Sequence, residues 1–331
     1  MTLKDIARIF NVSPSTISRA LRDDTRISES LRKEITEYAE KAGYRKNAIA
    51  RNLKTNRSHT IGFIAPEIAN DFFMNVAQGV EDELKKAGYS LIICNSNENP
   101  SEEKRRIDLL LENRPEGIII IPSSHEGKHL QFLRNTGLPF VLIDRLCNDI
   151  TADAVLVDNT GGTYRAIEYL IQKGIRRIGF IGGDMNLTSA KERFTGYIRA
   201  LEDYNIPLDN GIIQFGDFHV ESGYRCMKNL MDITEPPLHV FIANVFMHLG
   251  AAKYILENRK HETEKINTAG FDEMYLSPVL GLASCTVSQP VNEIGRQAAR
   301  ILFQRIRGEN LPFPKIMRLD TKLHIHKENF V

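Results

Sequence analysis

The chain has 331 residues, of which 42% are hydrophobic and 26% are charged, values typical of a soluble protein with about two domains. No run of residues reaches the roughly 18 apolar side chains that a membrane-spanning helix needs, and the first residues lack a signal-peptide pattern. We therefore expect a cytoplasmic protein with no membrane partner. The scattered positions of the four cysteines predict reduced, mostly buried thiols; they are Cys94, Cys147, Cys226 and Cys285.

Positive charge is concentrated at the start of the chain. Residues 1–60 contain 13 lysines and arginines against 7 aspartates and glutamates, a net charge of +6, whereas the remaining 271 residues carry a net charge of −5. A basic segment joined to an acidic body indicates that the basic segment alone has a polyanionic partner, such as nucleic acid.

Two short amphipathic helices are predicted within the first 21 residues. The first ends at a break at residues 11–12, and its apolar face contains Ile6, Ala7, Ile9 and Phe10. In the second run, at 13–21, the side chains expected in the core are Ile17, Ala20 and Leu21. Those expected to face outward are Ser13, Ser15, Thr16 and Arg19. Two short helices across a tight turn, the second with small polar residues and an arginine, are typical of a helix-turn-helix unit that reads the major groove.

A third helix and a short basic tether follow. Ser28 is a candidate N-cap and Gly43 a candidate C-cap, and the apolar stripe between them contains Leu31, Ile35, Tyr38, Ala39 and Ala42. Residues 47–54 then show a short helical pattern before a polar stretch at 55–59. Isolated helices this short are marginal in water, so the residues alone predict a weak helix in the tether.

At Thr60 the pattern changes, and apolar runs begin to alternate with helical segments. Strands are predicted at 60–65, 90–94, 117–121, 139–143, 177–181, 212–215, 239–243, 265–270 and 283–287. Helices are predicted at 71–87, 101–113, 125–136, 161–173, 190–204, 220–231 and 246–258. This alternation indicates an α/β fold with parallel sheets covered on both faces. Residues 61–64 and 178–181 both read Ile-Gly-Phe-Ile, which indicates two similar doubly wound lobes with a ligand cleft between them.

Short motifs in both parts of the chain form a recognisable set. The first segment contains Val12-Ser13, Thr16-Ile-Ser-Arg-Ala-Leu21, Ala42-Gly-Tyr44, Asn47, Ala50-Arg51 and Leu53. The body contains Ser222-Gly-Tyr224, Gly270-Phe-Asp272 and Gln289-Pro290. Over essentially its whole length the chain resembles the lactose-repressor family of bacterial transcription regulators.

The resemblance implies a domain organisation. A helix-turn-helix DNA-binding domain would occupy residues 1–46, and a hinge helix and linker would occupy 47–59. A two-lobed effector-binding and dimerisation domain, similar to periplasmic binding proteins, would occupy 60–331. Its N-lobe would comprise about 60–160 and 289–318, and its C-lobe about 161–288 and 319–331.

In this family the second helix lies in the major groove, which implies that base edges are contacted by Pro14, Ser15 and Arg19. Arg19 can bond O6 and N7 of guanine as a fork, which discriminates against other bases by roughly 1–3 kcal/mol. Ser15 is less selective, and Pro14 either contacts a thymine methyl or only starts the helix. The resemblance also implies phosphate contacts, which set register without reading sequence, from Ser13, Thr16, Arg22 and Asn47.

The tether resembles the family's hinge helix, which orders on operator DNA and wedges a leucine between base steps in the minor groove. Leu53 would be the wedge, Ala50 would allow close approach, and Arg51 and Lys54 would supply positive charge. Unstacking a base step costs a few kcal/mol and is offset by contacts that the bent DNA permits. The chain has Lys46 where the family usually has proline, which alters the expected entry angle. The alternative is a plain flexible linker.

The body resembles sugar-binding periplasmic proteins and related repressors, especially the ribose-type members. The resemblance implies an effector pocket lined by Asn70, Phe72, Phe73, Asp144, Arg145, Arg193, Phe218, Asn244, Asp272 and Gln289. Phenylalanines can stack on the apolar faces of a sugar ring, and the polar side chains can bond several hydroxyl groups. The alternative is a structural ion network among Asp144, Arg145 and Arg193. Val245 stands where the family often has aspartate, so the sugar need not be a simple pentose.

Two other patterns are weaker. The segment His125-Glu-Gly-Lys-His129 fits the H-E-x-x-H pattern of zinc proteases, but Gly127 weakens the required helix and the segment begins just after the predicted strand at 117–121. His324 and His326 lie on one strand face, and two histidines are too few for a zinc site. We therefore expect no metal, no cofactor and no catalytic activity.

The resemblance implies an operator-binding transcription regulator, most simply a repressor, whose DNA affinity is controlled by a small sugar between the lobes. One helix-turn-helix unit reads only a half-site, so we expect a homodimer on a near-palindromic operator. Two other classes remain open. One is a sugar-binding transport component, and the other is a sugar-phosphate enzyme fused to a DNA-binding head.

Overall fold

The computed structural model describes residues 1–44, 57–258, 266–273, 283–310 and 312–326. It divides into two compact units, residues 1–58 and residues 59–331. The predicted DNA-contacting residues of the hinge region lie outside the described residues, so their roles stay predictions; they are Asn47, Ala50, Arg51, Leu53 and Lys54.

Three helices form the first unit: α1 (Leu3–Ile9), α2 (Pro14–Ala20) and α3 (Glu29–Lys41). Thr2 and Asp5 form a reciprocal capping box at the start of α1. The Ser13 hydroxyl accepts the Thr16 amide at 3.1 Å and so caps α2. Pro14 occupies the first turn of α2, where a missing N–H leaves no helix bond unmade. The small core that these helices enclose consists of Ile6, Ala7, Ile17, Ala20, Ile35 and Ala39.

Two details of this unit differ from the prediction. Ile9 was expected in the core but is 54% exposed. The core takes the helix face formed by Ile6, Ala7 and Phe10, and Ile9 lies about 100° around the helix from the centre of that face. Ser28 occupies the N-cap position of α3, but its side chain accepts no capping hydrogen bond. Instead, Arg32 ties the first turn of α3 to Asp23, donating to its carboxylate at 2.6 Å and its carbonyl at 3.1 Å.

The first lobe of the second unit is built on a six-stranded parallel sheet. Its strands are β1 (Thr60–Ala65), β2 (Ser90–Asn95), β3 (Gly117–Ile120), β4 (Phe140–Ile143), β5 (Asp153–Val157) and β11 (Ile316–Leu319). Their order is β11-β5-β4-β3-β1-β2. The helices of this lobe are α4 (Asp71–Lys86), α5 (Pro100–Glu112), α6 (Gln131–Thr136) and α11 (Val291–Ile306). Two clusters of buried apolar side chains form the core of this lobe.

The second lobe repeats this plan. Its strands are β6 (Ile178–Gly182), β7 (Ile213–Phe215), β8 (His239–Ile242), β9 (Asn267–Phe271), β10 (Cys285–Ser288) and β12 (Lys322–Ile325), in the order β12-β10-β9-β8-β6-β7. Strand β12 is antiparallel to β10, and the other neighbours are parallel. The helices are α7 (Asn159–Gln172), α8 (Thr188–Asp203), α9 (Val220–Met231) and α10 (Val245–Asn258).

Within the described residues the chain passes between the lobes three times. The crossings lie between β5 and α7, between β10 and α11, and between β11 and β12. Each lobe keeps its own buried apolar clusters. The carboxyl ends of parallel strands are where ligands bind in sheets of this type, and the crossings bring the two sets of ends together.

The structure corrects the helix predicted at 125–136. Helix α6 begins only at Gln131, after a 3-10 turn at Lys128–Leu130. The Gly127 backbone packs against Ile150 and Cys147. His129 forms a hydrogen bond with the buried carboxylate of Glu103 at 2.6 Å. These contacts hold the segment before Gln131 against the lobe. The sequence pattern also missed β5, β11 and α11, while the other predicted elements after residue 60 agree with the structure to within two residues at each end.

The four cysteines are free thiols, as predicted: Cys94 is half-buried and the other three are buried. Burial raises the pKa of Cys147 and of Cys285 to about 12. These two thiols therefore stay protonated and unreactive near neutral pH. Among the described residues, no helix has the length and apolar content to cross a bilayer.

Candidate functional site

Helix α2 carries an exposed polar face. Its exposed side chains include Pro14, Ser15 and Arg19. The Ser13 hydroxyl lies 2.6 Å from the Ser15 hydroxyl and 2.9 Å from the Thr16 hydroxyl. These three hydroxyls form one cluster of donors and acceptors at the start of the helix, beside the arginine that was predicted to read bases.

The two arginines near this face differ in their partners. Arg22 donates from Nε to the Ser18 carbonyl at 3.0 Å and from Nη2 to the Ser18 hydroxyl at 2.9 Å. Within residues 1–44 no hydrogen-bond acceptor engages the guanidinium of Arg19, which is exposed. A base edge can therefore bond Arg19 without breaking a hydrogen bond within residues 1–44, whereas Arg22 must first release Ser18.

A cavity of about 220 Å³ lies between the two lobes of the second unit. All ten side chains that were predicted to contact an effector line it: Asn70, Phe72, Phe73, Asp144, Arg145, Arg193, Phe218, Asn244, Asp272 and Gln289. The first five belong to the first lobe, the next four belong to the second, and Gln289 lies on a crossing between them. The structure brings these residues together, and their contacts with a ligand stay predictions.

Two buried oxygens of the cavity have no hydrogen-bond partner among the described residues. They are Oδ1 of Asp144, a residue 7% exposed, and Oε1 of Gln289. The Arg145 Nε is also left without a hydrogen bond, at 3.3 Å from Asp144 Oδ2. A buried polar atom left unpaired costs about 1–3 kcal/mol. Hydroxyl groups both donate and accept, so they are the kind of partner that these three atoms lack.

Three cavity residues have a left-handed backbone that is unusual outside glycine. Their φ angles are +67° for Asp144, +68° for Phe218 and +70° for Asp272. Asp144 and Asp272 directly follow β4 and β9, where the chain must turn at the edge of its sheet. Such conformations cost of order 1–3 kcal/mol each and collect at functional sites. The fold therefore places these side chains at the cleft at the expense of its own stability.

Arg145 is held from three sides in the first lobe. Its two terminal nitrogens donate to the Glu98 carboxylate at 2.8 and 3.0 Å, and one also donates to the Pro122 carbonyl at 3.2 Å. Burial by itself would lower the pKa of Arg145, but Glu98 and Asp144 raise it above its usual value. The guanidinium is thus a permanently charged, immobile feature of the cavity wall.

Arg193 has the corresponding position in the second lobe. It donates to the Asn159 side chain at 2.9 Å and to the Ala243 carbonyl at 2.6 Å, and it lies 3.8 Å from the Phe271 ring centre. Its Nη1 is 3.6 Å from Asp272. Burial raises the pKa of Asp272 despite this arginine and a 2.5 Å hydrogen bond from Gln289 Nε2. The Asp272 carboxylate therefore lacks part of the solvation that a polar ligand would restore.

Two of the residues that were predicted to contact the effector also make hydrogen bonds within the protein. Asn70 Oδ1 accepts the Phe72 amide at 3.0 Å and caps α4. The Asn244 side chain donates to the Phe218 carbonyl at 3.1 Å and accepts the Met247 amide at 3.0 Å, so it holds the strained turn that carries Phe218. These two amides shape the cavity whether or not they also touch a ligand.

Two family profiles match the chain. Residues 2–47 match the bacterial regulatory proteins of the lacI family. Residues 58–325 match the periplasmic binding proteins and sugar binding domain of the LacI family.

The chain belongs to the LacI family of bacterial regulatory proteins.

Similar proteins cover nearly all of this LacI-family chain. It is 30% identical to the HTH-type transcriptional regulator RegA of Clostridium saccharobutylicum, over 95% of each chain. It is also 30% identical to the HTH-type transcriptional repressor PurR of Aliivibrio salmonicida, over 98% of this chain and 99% of that protein. A LacI-family regulator of Enterococcus faecium with bound ribose superimposes with a TM-score of 0.69 at 28% identity, over 80% of this chain and 96% of that structure.

The sequence pattern missed several residues that line the cavity of this LacI-family protein: Glu67, Ala69, Glu98, Ser189, His219, Val220, Glu221 and Phe246. Glu98 lies in a polar loop of asparagines and a serine, where no local pattern marks it as part of a site. After Asn244 the structure places Phe246 in the cavity wall, while Met247 and His248 are buried.

Proposed function

We propose that this LacI-family regulator binds operator DNA through α2 and adjusts its affinity for DNA according to whether a small, polyhydroxylated, uncharged sugar occupies the cavity. The observation that carries the proposal is the set of unpaired buried polar atoms on Asp144, Arg145 and Gln289. Their alternating donors and acceptors, beside Phe72 and Phe218, suit a ring with polar edges and apolar faces.

The ligand is expected to be a monosaccharide, with Asp144 and Asp272 bonding hydroxyl groups from opposite lobes. The regulator of Enterococcus faecium that carries ribose supports a pentose as the first choice. The alternative of a purely structural ion network is not favoured, because such a network would not leave Asp144 Oδ1 without a partner.

A homodimer is expected to be the DNA-binding form. One three-helix unit reads a single half-site, and two copies related by two-fold symmetry would read a near-palindromic operator. Binding of the sugar would shift the angle between the lobes through the three crossings, and the predicted hinge at 47–59 would pass that change to the DNA-binding domains. The proposed place of action is the cytoplasm, where operator DNA is found.

Calorimetry and thermal unfolding with D-ribose, D-xylose, D-galactose and D-glucose test the proposed ligand class. At least one of these sugars should bind the wild-type chain and raise its Tm. Asp272→Ala should lose that response, whereas Asp232→Ala, which removes an exposed carboxylate of the same lobe, should keep it. No response of the wild-type chain to any of the four would contradict the proposal.

Selection from a pool of randomised duplexes tests the proposed DNA activity. The full-length chain should enrich one near-palindromic sequence, and sedimentation should detect two chains on each duplex. Recovery of random duplexes only, with and without the sugars, would contradict sequence-specific binding.

The fused-enzyme alternative requires turnover. We expect no product from the four sugars or their phosphates, because the unpaired groups in the cavity suit bonding of hydroxyls and none is placed as a nucleophile with an adjacent base. Release of any product by the wild-type chain, abolished by Asp144→Asn, would favour the enzyme instead.

A further inference from the structure

The carboxylate of Glu98 in the cavity is paired with the guanidinium of Arg145 through both of its oxygens. Glu98 receives two parallel hydrogen bonds from the terminal nitrogens of Arg145, at 2.8 and 3.0 Å. This end-on pairing is the arrangement by which a guanidinium binds a carboxylate or a phosphate from solution. The side chain of Arg145 is only 5% exposed, and that of Glu98 is 27% exposed.

The backbone holds Glu98 in this position against its own preference. Glu98 and the preceding Asn97 have φ angles of +50° and +52°, so two consecutive residues of the loop after β2 are left-handed. A left-handed backbone is unfavourable for a residue such as glutamate and persists only where the surrounding structure holds it. A loop that only connects β2 with α5 would not need to turn a glutamate inward in this way.

Further contacts fix the orientation of the guanidinium. Arg145 donates to the Pro122 carbonyl at 3.2 Å, and its Nε lies 3.3 Å from Asp144. The residue after Pro122 is anchored in turn, because the Ser123 amide donates to the buried Glu103 carboxylate at 2.7 Å. Arg145 therefore cannot swing to meet an anion elsewhere in the cavity.

The net charge of the cavity also disfavours an anionic ligand. Five acidic side chains line it, against the two basic guanidinium groups of Arg145 and Arg193. Arg193 is committed to Asn159 and Ala243. An anionic ligand would therefore meet net negative charge and no free cation, whereas an uncharged sugar meets only the unpaired polar atoms.

We infer that Glu98 is a specificity-determining residue, which occupies the anion-binding end of Arg145 and so excludes sugar acids and sugar phosphates from the effector cavity. This inference rests on the proposed function and deepens it. The protein supplies its own carboxylate where an aldonate or a phosphate ester would otherwise bind, and it leaves Arg145 Nε and Asp144 Oδ1 for hydroxyl groups.

Calorimetry on the full chain tests the inference, with D-ribose, D-xylose, D-galactose and D-glucose, the aldonate of each, and D-ribose 5-phosphate. The variants are Glu98→Gln, which removes the charge and keeps the shape, and Glu98→Gly, which also opens space and tolerates the positive φ. Glu126→Gln is the matched control, because it removes an exposed carboxylate of the same lobe that pairs with Lys128 at 2.9 Å.

The wild-type chain and the Glu126→Gln control should bind an uncharged sugar and neither its aldonate nor the phosphate. In Glu98→Gly the affinity for the aldonate relative to the parent sugar should rise at least tenfold, and Glu98→Gln should show a smaller rise of the same sign. Thermal unfolding checks that both variants are folded, and either folded variant suffices for the comparison.

Two results would overturn the inference alone. One is tight binding of an aldonate or the phosphate by the wild-type chain, and the other is an unchanged ratio in the folded Glu98 variants while the wild type binds the sugar. If the wild type binds none of the uncharged sugars, the proposed function fails, and the inference that rests on it fails as well.

Discussion

At the residue scale, the cavity is built from side chains that the fold holds in unfavourable states. Asp144 and Asp272 have left-handed backbones, Gln289 keeps a buried oxygen unpaired, and Glu98 is turned inward on a strained loop. Each of these features lowers the stability of the free protein. Strained and unpaired groups of this kind are found mainly at functional sites. Here they converge on one cavity.

Arg19→Ala should relax the base preference of the protein at one base pair of each half-site. The lost fork of hydrogen bonds is worth about 1–3 kcal/mol of discrimination, and no internal bond within residues 1–44 competes for the arginine. Duplex selection measures this change. Arg22→Ala is the comparison, because loss of a phosphate contact weakens all sequences alike. An unchanged base preference in Arg19→Ala would contradict the groove-reading role.

Asp272→Asn should gain stability relative to the wild type as the pH rises. Burial raises the pKa of Asp272 above 3.8 in the folded protein, so the folded state holds this proton more tightly than the unfolded chain does. Ionisation therefore disfavours folding, and stability is lost as the pH rises from about 3.8 through the raised pKa. Urea unfolding of both proteins from about pH 4 to about pH 7 measures the difference. The expected sign would be contradicted if the free energy of unfolding of Asp272→Asn decreased relative to that of the wild type as the pH rises.

At the element scale, each lobe depends on two helices whose backbones approach closely. In the first lobe α4 and α11 meet at glycines: a Cβ on Gly79 would lie 2.1 Å from the Asn292 carbonyl oxygen, and one on Gly295 would lie 2.1 Å from that of Val76. Helices α9 and α10 of the second lobe meet in the same way at Gly223 and Gly250. Helix α11 enters the first lobe only after the second crossing. Its contact with α4 therefore joins a late part of the chain to the earlier part of that lobe.

Gly79→Ala should destabilise the chain by about 1–3 kcal/mol, the usual cost of forcing extra atoms into a packed contact. The added methyl group meets backbone, which cannot rotate away as a side chain can. The free energy of unfolding in urea measures the effect. Gln78→Ala changes an exposed neighbour on the same helix and should shift stability far less. Equal stability of the two variants would show that α4 and α11 can separate without cost.

At the scale of the whole molecule, the proposed sugar and the operator would bind to one chain, and their effects on each other would then be equal. If the sugar changes operator affinity by some factor, the operator changes sugar affinity by the same factor. Each of the two units has its own buried core.

Titrations of sugar with and without a saturating operator duplex, and of operator with and without saturating sugar, measure the two factors. The two factors should be equal, and each should be about 5–150-fold. Removing residues 1–58 should leave the affinity for the sugar near that of the free full-length chain and make it insensitive to DNA. A full-length chain in which operator and sugar bind with no mutual effect would contradict ligand control.

The sequence by itself determined most of the local elements and most of the candidate site. Capping at Ser13, the proline at Pro14 and the change of period at Thr60 are readable in short windows, and the family motifs pointed to ten residues that the structure brings to one cavity. Tertiary structure alone decided that β5 and β11 pair and that Glu98 occupies Arg145, whereas the family resemblance had already implied that residues 289–318 belong to the first lobe. Capping and periodicity depend on neighbours in the chain, whereas strand order, buried ion pairs and unpaired acceptors depend on residues brought together by folding.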